Sequence, residues 1–503
     1  MNNLQILRWR KDESPSSGHT LFVNISFIMS MLLNLLMLTG CSTTSSLFSA
    51  PQQQQFEIKS TANDLNSGRI SLFLNLKNAP ARHGIHMQVS KIEILNETTW
   101  LPIAIKIQDI NAEKIDKHQL FLGRGQLPTG NYHRLRFTLS QQASSLRDDG
   151  KRILLNVKSP IVEINLPSVL DLNQGDSHSL FVTWDEANSL PSPPFLQPAW
   201  SISPNKKQMS TDIAYAACPA INTIYVIRTD KNWVCNSFGI NGHPSCISAT
   251  ANQATNRLYI LSPTRAEIDV VELLTNFIVN TFQIPMTSNP ANMIISKDEQ
   301  WAYILDNQED YLLQINLSSG ELEKRIQLGF QPNFITCVPS HNLLAISSKH
   351  SQTLTLLNSN TLDKVGEIQT TGTPEEILAW NGMLYITEGT TNTVAIYDLN
   401  HQTILSRVNV GFYPHHLLQN DEHIYVSNRD SNSISVLQPG QLGISHEISL
   451  SGTPLKMMVA QNSRWLYAVN KNIGGLTVID ATSNQINGQI LFGAVPMGLT
   501  VVQ

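Results

Sequence analysis

The sequence predicts an all-β protein, an N-terminal β-sandwich followed by a seven-bladed β-propeller. Three observations predict it. From residue 211 onward a Pro returns at Pro244, Pro290, Pro332, Pro374, Pro414, Pro454 and Pro496, at spacings of 46, 42, 42, 40, 40 and 42 residues. Inside those units a Tyr, and then an apolar residue nine positions later, keep the same step. Ahead of residue 205 apolar and polar residues alternate at the strand period, and no helical period is sustained.

The repeat is assigned to 211–503. Gly precedes the Pro by two or three residues at Gly242, Gly329, Gly372, Gly411, Gly452 and Gly493, and only the Pro290 unit lacks it. The Gly is expected to permit a φ > 0 turn ending an outer strand, and the Pro to fix the chain where it returns to the axis. The strand after each Pro is then innermost. The strand carrying Tyr259, Tyr303, Tyr385, Tyr425 or Tyr467 is second, with Ala345 in place of one Tyr. Ile268, Leu312, Leu354, Val394, Ile434 and Leu476 mark the third. One blade cannot bury both its faces, so blades stack until a ring closes. Thr211–Ala217 reads as an innermost strand without its Pro, Tyr225 marks a degenerate first blade, and Pro496–Val502 begins one more inner strand. The chain holds no residues for an eighth blade. The expectation is therefore seven blades, the C-terminal strand completing the first.

Residues 57–204 are assigned to the sandwich. Ile70, Leu72, Leu74 and Leu76 share one strand face, and further strands are expected at Met87–Leu95, Tyr132–Leu139, Ile153–Val157, Ile161–Leu166 and Ser179–Trp184. Short strands separated by Gly and Pro turns favour a sandwich over an α/β unit. Residues 1–40 read as an export signal: Arg8, Arg10 and Lys11 precede an uncharged apolar run, Leu21–Leu38. Residues 41–56, rich in Ser, Thr and Gln, read as a flexible tether. Charged residues are only 15% of the 503 and the net charge is −5, which gives no basic footprint for nucleic acid.

Leu38-Thr39-Gly40-Cys41 resembles the bacterial lipobox. That resemblance implies cleavage before Cys41, acylation of its thiol and amine, and, with Ser42 rather than Asp following, an outer-membrane lipoprotein facing the periplasm or the cell surface. Val89-Ser90-Lys91-Ile92-Glu93-Ile94, Leu127–Arg136 and Asp185–Leu190 resemble an uncharacterised bacterial lipoprotein domain over about 57–203. The usual Asp before Ala-Pro is Asn78 here. The runs Ile424–Val436, Leu384–Asp398 and Gly474–Asp480 resemble the YVTN family of bacterial and archaeal surface propellers. That family mixes binding scaffolds with a few enzymes, so it implies fold more than activity.

The residues after each Pro are expected to line one mouth of the channel: Ser245, Asn292, Asn333, Glu375, Glu376, His415, His416 and Lys456. Glu376 and His416 fall in neighbouring blades and are the one candidate acid/base pair. Strand alternation would aim half of these side chains away from the axis. His415, His416 and His423, or His83 with His86, lack a carboxylate or Cys partner at ligand spacing, so no metal is expected. Asp306, Glu309 and Asp310 read as a solvated acidic turn. Cys218, Cys235 and Cys246 crowd one region, and an oxidising compartment would permit a disulfide among them. No cofactor is expected, because nucleophile-elbow, P-loop, zincin and haem-attachment motifs are all absent from the sequence.

A strong repeat without a catalytic set points to a lipid-anchored cell-envelope binding or scaffolding protein. Its partner would be an envelope protein or glycan, and the membrane is met through the anchor. The rival readings are a periplasmic lyase or hydrolase with its site at the channel mouth, and an accessory subunit of a redox system.

Overall fold

A computed structural model describes residues 66–503, apart from 78–83, 116–117, 147–149, 192–193, 204–212, 251–255, 422, 461–463 and the last residue. The export segment, Cys41, the tether, Asn78 and His83 lie outside the described residues. The described residues belong to one compact unit.

The N-terminal part is a single eleven-stranded sheet curled on itself. Its two layers are joined through Thr99–Ile105, which pairs with His86–Asn96 in one layer and with Leu120–Pro128 in the other. The core between the layers includes Ile70, Leu72 and Leu74 from one side and Leu135 and Phe137 from the other. Ser67–Leu76 and Ser177–Asp185 pair in parallel, and a four-residue helix, Ala112–Ile115, interrupts the strands.

Seven four-stranded sheets follow. Blades 2 to 7 occupy 246–283, 290–327, 332–369, 374–409, 414–449 and 454–491, each running from innermost to outermost strand in chain order. Blade 1 combines residues 213–239 with the C-terminal strand Gly498–Val502, as expected. Its strand order corrects one detail. Ile213–Cys218 lies second, because Gly498–Val502 pairs on its axial side and supplies the inner strand. The repeat Tyr of this blade is therefore Tyr215, whereas Tyr225 stands on the third strand.

The repeat Tyr ties one blade to the next. The hydroxyl of Tyr215 donates to Asn276 Oδ1 at 3.2 Å, that of Tyr425 to Asn484 Oδ1 at 3.3 Å, and that of Tyr467 to Asn232 Oδ1, which crosses the seam between blades 7 and 1. A device present in all seven blades is not read in the sequence. The loop between second and third strands holds a left-handed residue in every blade: Asn222, Ala266, Asp310, Gln352, Asn392, Asn432 and Gly474, with φ between 49° and 62°. Its carbonyl accepts the amide just beyond the outer strand, from Ile240 N in blade 1 to Phe492 N in blade 7, at 2.7–3.0 Å. Asn serves at three of these sites because its short polar side chain tolerates the conformation.

The loop Gly residues do a different job from the one expected. Among the six, only Gly242 and Gly493 have positive φ. At Gly329, Gly411 and Gly452 an added Cβ would stand 2.5–2.6 Å from polar side chains of the same blade's second-strand end or the loop after it. The left-handed residue is instead the one just before Pro at His243, Gln331 and Tyr413. In the Pro290 unit, which lacks Gly, buried Asp306 accepts hydrogen bonds from the Ser288 and Asn289 amides and from Thr287 Oγ1. Asp306 is thus a buried loop cap rather than part of a solvated turn, and these bonds hold its carboxyl below the usual range although burial opposes them.

The curled sheet docks on blades 1 and 7. Ser71 and Phe73, on the strand face opposite Leu72, are buried against the propeller. Ser71 Oγ and the Tyr225 hydroxyl are 2.8 Å apart, Phe73 meets Tyr225 edge-on, and Tyr225 stacks on Phe492 at 4.8 Å. Gln119 exchanges two hydrogen bonds with the Val234 backbone, and Arg124 donates to the carbonyls of Phe492 and Gly493. Tyr225→Ala should therefore cost about 3–5 kcal/mol in an unfolding titration. A cost below about 1 kcal/mol would mean that the sheet rests on the blades without bracing them.

Candidate functional site

The sequence places the site residues after each Pro, and the structure adds a β-bulge there. Pairing skips a residue between Pro332 and Phe334 and between Pro414 and His416, and skips more between Pro374 and Ile377 and between Pro454 and Met457. A bulge breaks strand alternation and re-aims side chains. Adjacent residues consequently reach the same neighbouring blade: Glu375 meets His415, and Glu376 meets His416. The expectation that alternation would separate them does not hold.

Glu375 is 1% exposed and fully partnered. Tyr413 hydroxyl donates to its Oε1 at 2.8 Å, while Lys349 Nζ lies 2.8 Å and His415 Nδ1 3.3 Å from its Oε2. Burial alone would raise this carboxyl, but the His415 hydrogen bond and the Lys349 charge bring it down to about 2. The Arg429 guanidinium covers the Tyr413 ring at 3.7 Å and pairs with Asp430. Six side chains from blades 4, 5 and 6 thus close one network around the ionised Glu375.

Glu376 and His416 behave in the opposite way. Glu376 Oε1 and His416 Nε2 are 3.3 Å apart, and their residues are 8% and 9% exposed. Burial raises the Glu376 carboxyl well above its ordinary range against the pull of Lys456; burial, Lys456 and His415 lower the His416 imidazole well below its own. The contact is therefore between a protonated carboxyl and a neutral ring. Their backbones are fixed alike: Glu376 N donates to Thr387 Oγ1 and His416 N to Ser427 Oγ. His416 Nδ1 is buried without a hydrogen-bond partner among the described residues. Lys456, half-buried on the next blade, has no ion pair or hydrogen bond among them either.

The other rim positions divide by role. Asn292 Nδ2 donates to the Asn333 carbonyl and Asn333 Nδ2 to the Glu375 carbonyl, so these two amides form a belt joining blades 3, 4 and 5. Ser245 Oγ is buried and unpartnered among the described residues. Sequence reasoning missed Lys349, Tyr413 and Arg429. Lys349 and Arg429 each follow the last residue of a second strand, and Tyr413 precedes the anchor Pro, so all three stand in register beside positions that were read. Among the described residues no group of three His, Cys, Asp or Glu could hold a metal ion.

Cys218, Cys235 and Cys246 do not form the disulfide considered for them. All three are free and buried, and each packs in a different hydrophobic cluster. Burial pushes the Cys218 thiol up and the Cys235 thiol up to about 11, so both stay protonated at neutral pH.

The sector over blades 5 to 7 offers a buried proton donor in Glu376, a neutral imidazole in His416 and an uncompensated cation in Lys456. Such an arrangement can hold a small ligand with an anionic or carbonyl group, and it can move a proton.

No family model and no curated protein matches the chain. Solved structures do. A functionally unknown protein from Desulfotomaculum acetoxidans aligns at 14% identity and TM-score 0.52, covering 58% of this chain and 99% of that one. A protein from Lactobacillus plantarum aligns at 16% and 0.50, covering 59% and 100%. A putative 6-phosphogluconolactonase from Bacteroides fragilis aligns at 11% and 0.51, covering 59% and 100%. At these identities the likeness shows the fold alone: the chain carries a seven-bladed β-propeller.

Proposed function

We propose that this is a binding protein of the bacterial cell envelope, tethered to the outer membrane through an acylated Cys41, with the propeller mouth over blades 5 to 7 as its recognition surface. The observation that carries the reading is a rigid, fully partnered network around Glu375 supporting two uncommitted polar groups, His416 Nδ1 and Lys456. A preorganised frame with a few convergent polar groups is what ligand sites have in common. The resemblance of the blades to YVTN-type surface propellers agrees with it, and an envelope protein or glycan is the partner it implies.

Full-length protein should fractionate with membranes, and Cys41→Ser should shift it to the soluble fraction or block its processing. Envelope material retained by immobilised wild type should be lost from Lys456→Glu. Equal retention by both proteins would remove the mouth from the reading.

A second reading, a periplasmic lyase or hydrolase, is favoured by the 3.3 Å contact between Glu376 and His416. Protonated Glu376 would act as general acid and neutral His416 as general base. Turnover that His416→Asn abolishes while ligand retention persists would favour the enzyme; retention without turnover in either protein would favour the binding role.

A further inference from the structure

On the face opposite the mouth, a cleft of about 680 Å³ opens between blades 3 and 4. Its walls come from loops joining first to second strands, such as Ser296–Asp298, and third to outer strands, such as Ser359–Asn360. It shares no residue with the mouth. Its volume falls within the range typical of small-molecule sites.

The repeat departs from its pattern at this seam. At three other seams the repeat Tyr donates to an Asn in the next blade's outer turn. In blade 4 that turn is one residue longer than in blade 1, and its left-handed residue is the buried Leu362. The Tyr303 hydroxyl keeps the bond to the turn's first carbonyl, Ser359 O at 3.3 Å, that its counterparts make at those seams, and the Asn partner is absent.

We propose that this cleft binds a short neutral oligosaccharide. Half-buried Trp301 supplies aromatic surface and half-buried Leu343 an apolar edge, over a floor of buried Tyr303, Gln314 and Leu344. A pyranose ring matches that pairing, since its C–H face suits an aromatic plane while its hydroxyls suit the polar edge. The charged lining balances, with Lys297 and Lys324 against Asp298 and Glu323. An anion would meet the two carboxylates and a cation the two ammonium groups. A hydrocarbon chain would desolvate all four without replacing their hydrogen bonds. The Trp301 indole N–H has no acceptor among the described residues and is free to donate to a sugar hydroxyl.

The test titrates the full chain with chitotriose, cellotriose and maltotriose, read by tryptophan fluorescence and calorimetry. At least one should saturate. Trp301→Ala should weaken that binding by about tenfold or more while Lys456→Glu leaves it unchanged. Glu323→Ala, an exposed position that leaves the blade packed, should weaken it about threefold or more, which keeps the proposal testable if Trp301→Ala fails to fold. The same sugar should slow maleimide labelling of Cys337, a cleft-lining thiol that is only partly buried. The proposal is overturned if none of the three saturates by about 10 mM, if both cleft variants bind as wild type does, or if a tripeptide saturates where no sugar does. Loss of the sugar from Lys456→Glu with full binding in both cleft variants would place it at the mouth and likewise overturn the proposal.

Discussion

Deleting residues 496–503 should abolish cooperative folding of the propeller. The segment supplies the inner strand of blade 1, paired with Ile213–Ala217 in register from Val502 to Gly498, and Met497 N adds a bond to the Ala217 carbonyl at 2.8 Å. Without it the inner edge of blade 1 is unpaired, and Leu499 and Val501 leave the cluster that holds Tyr225 and Phe492. Five to six backbone hydrogen bonds at about 1 kcal/mol each, plus that apolar burial, approach the whole stability of an ordinary domain, about 5–15 kcal/mol. The expected result is aggregated or protease-sensitive protein with no sharp thermal transition. Leu499→Ala, which keeps the strand, should still melt cooperatively at a lower temperature. A truncated chain that unfolds as sharply as wild type would show that the curled sheet alone holds blades 1 and 7 together.

The Glu376–His416 pair should give stability an unusual dependence on pH. In the unfolded chain Glu376 titrates near 4.5 and His416 near 6.5. Folding raises the first and lowers the second. Between those two values the native pair holds one proton, on Glu376, and the unfolded pair also holds one, on His416. The counts match, so the pair adds no slope. Above 6.5 the unfolded His416 is neutral, and for as long as native Glu376 keeps its proton stability should fall as pH rises, by at most about 1.4 kcal/mol per pH unit. Below 4.5 the unfolded pair holds two protons and the native pair one, so stability falls toward acid. Glu375 steepens that limb, because its folded value of about 2 makes its contribution present above 4.5 and lost as pH drops toward 2. Denaturant titrations between pH 6.5 and 7.5, below the range where the thiols of the unfolded chain ionise, should show the alkaline decline in wild type and a flat profile in Glu376→Gln. A flat wild-type profile would mean that Glu376 is ionised in the folded protein.

Much of this was legible in the sequence because it repeats. A Pro step of 40–46 residues, a Tyr in each second strand and an apolar mark in each third are local features, each imposed by one blade on its own chain. They set the blade number, the C-terminal closure and the position of the rim. The candidate pair was legible for the same reason: equal offsets from consecutive Pro residues put Glu376 and His416 at equivalent places in neighbouring blades.

What stayed illegible depends on contacts between distant segments. Alternation in Ser67–Leu76 marked Leu72 and Leu74 as core but did not show that Ser71 and Phe73 on the other face meet a blade more than 140 residues away. In blade 1 the C-terminal strand takes the axial edge and moves Ile213–Cys218 to second place, so the register Tyr is Tyr215 and not Tyr225. The loop Gly residues looked like conformational requirements, and most are spatial ones. The protonation of Glu375 and Glu376, adjacent in sequence and identical in chemistry, diverges because His415 and Lys349 reach the first, while burial outweighs the pull of Lys456 at the second. That blades form, and how many, could be read from the chain alone, because periodicity is written locally. Which residues after each Pro hold blades together, and which keep an unpartnered polar atom, depends on the folded arrangement, because burial and charge are set by whatever the fold brings alongside.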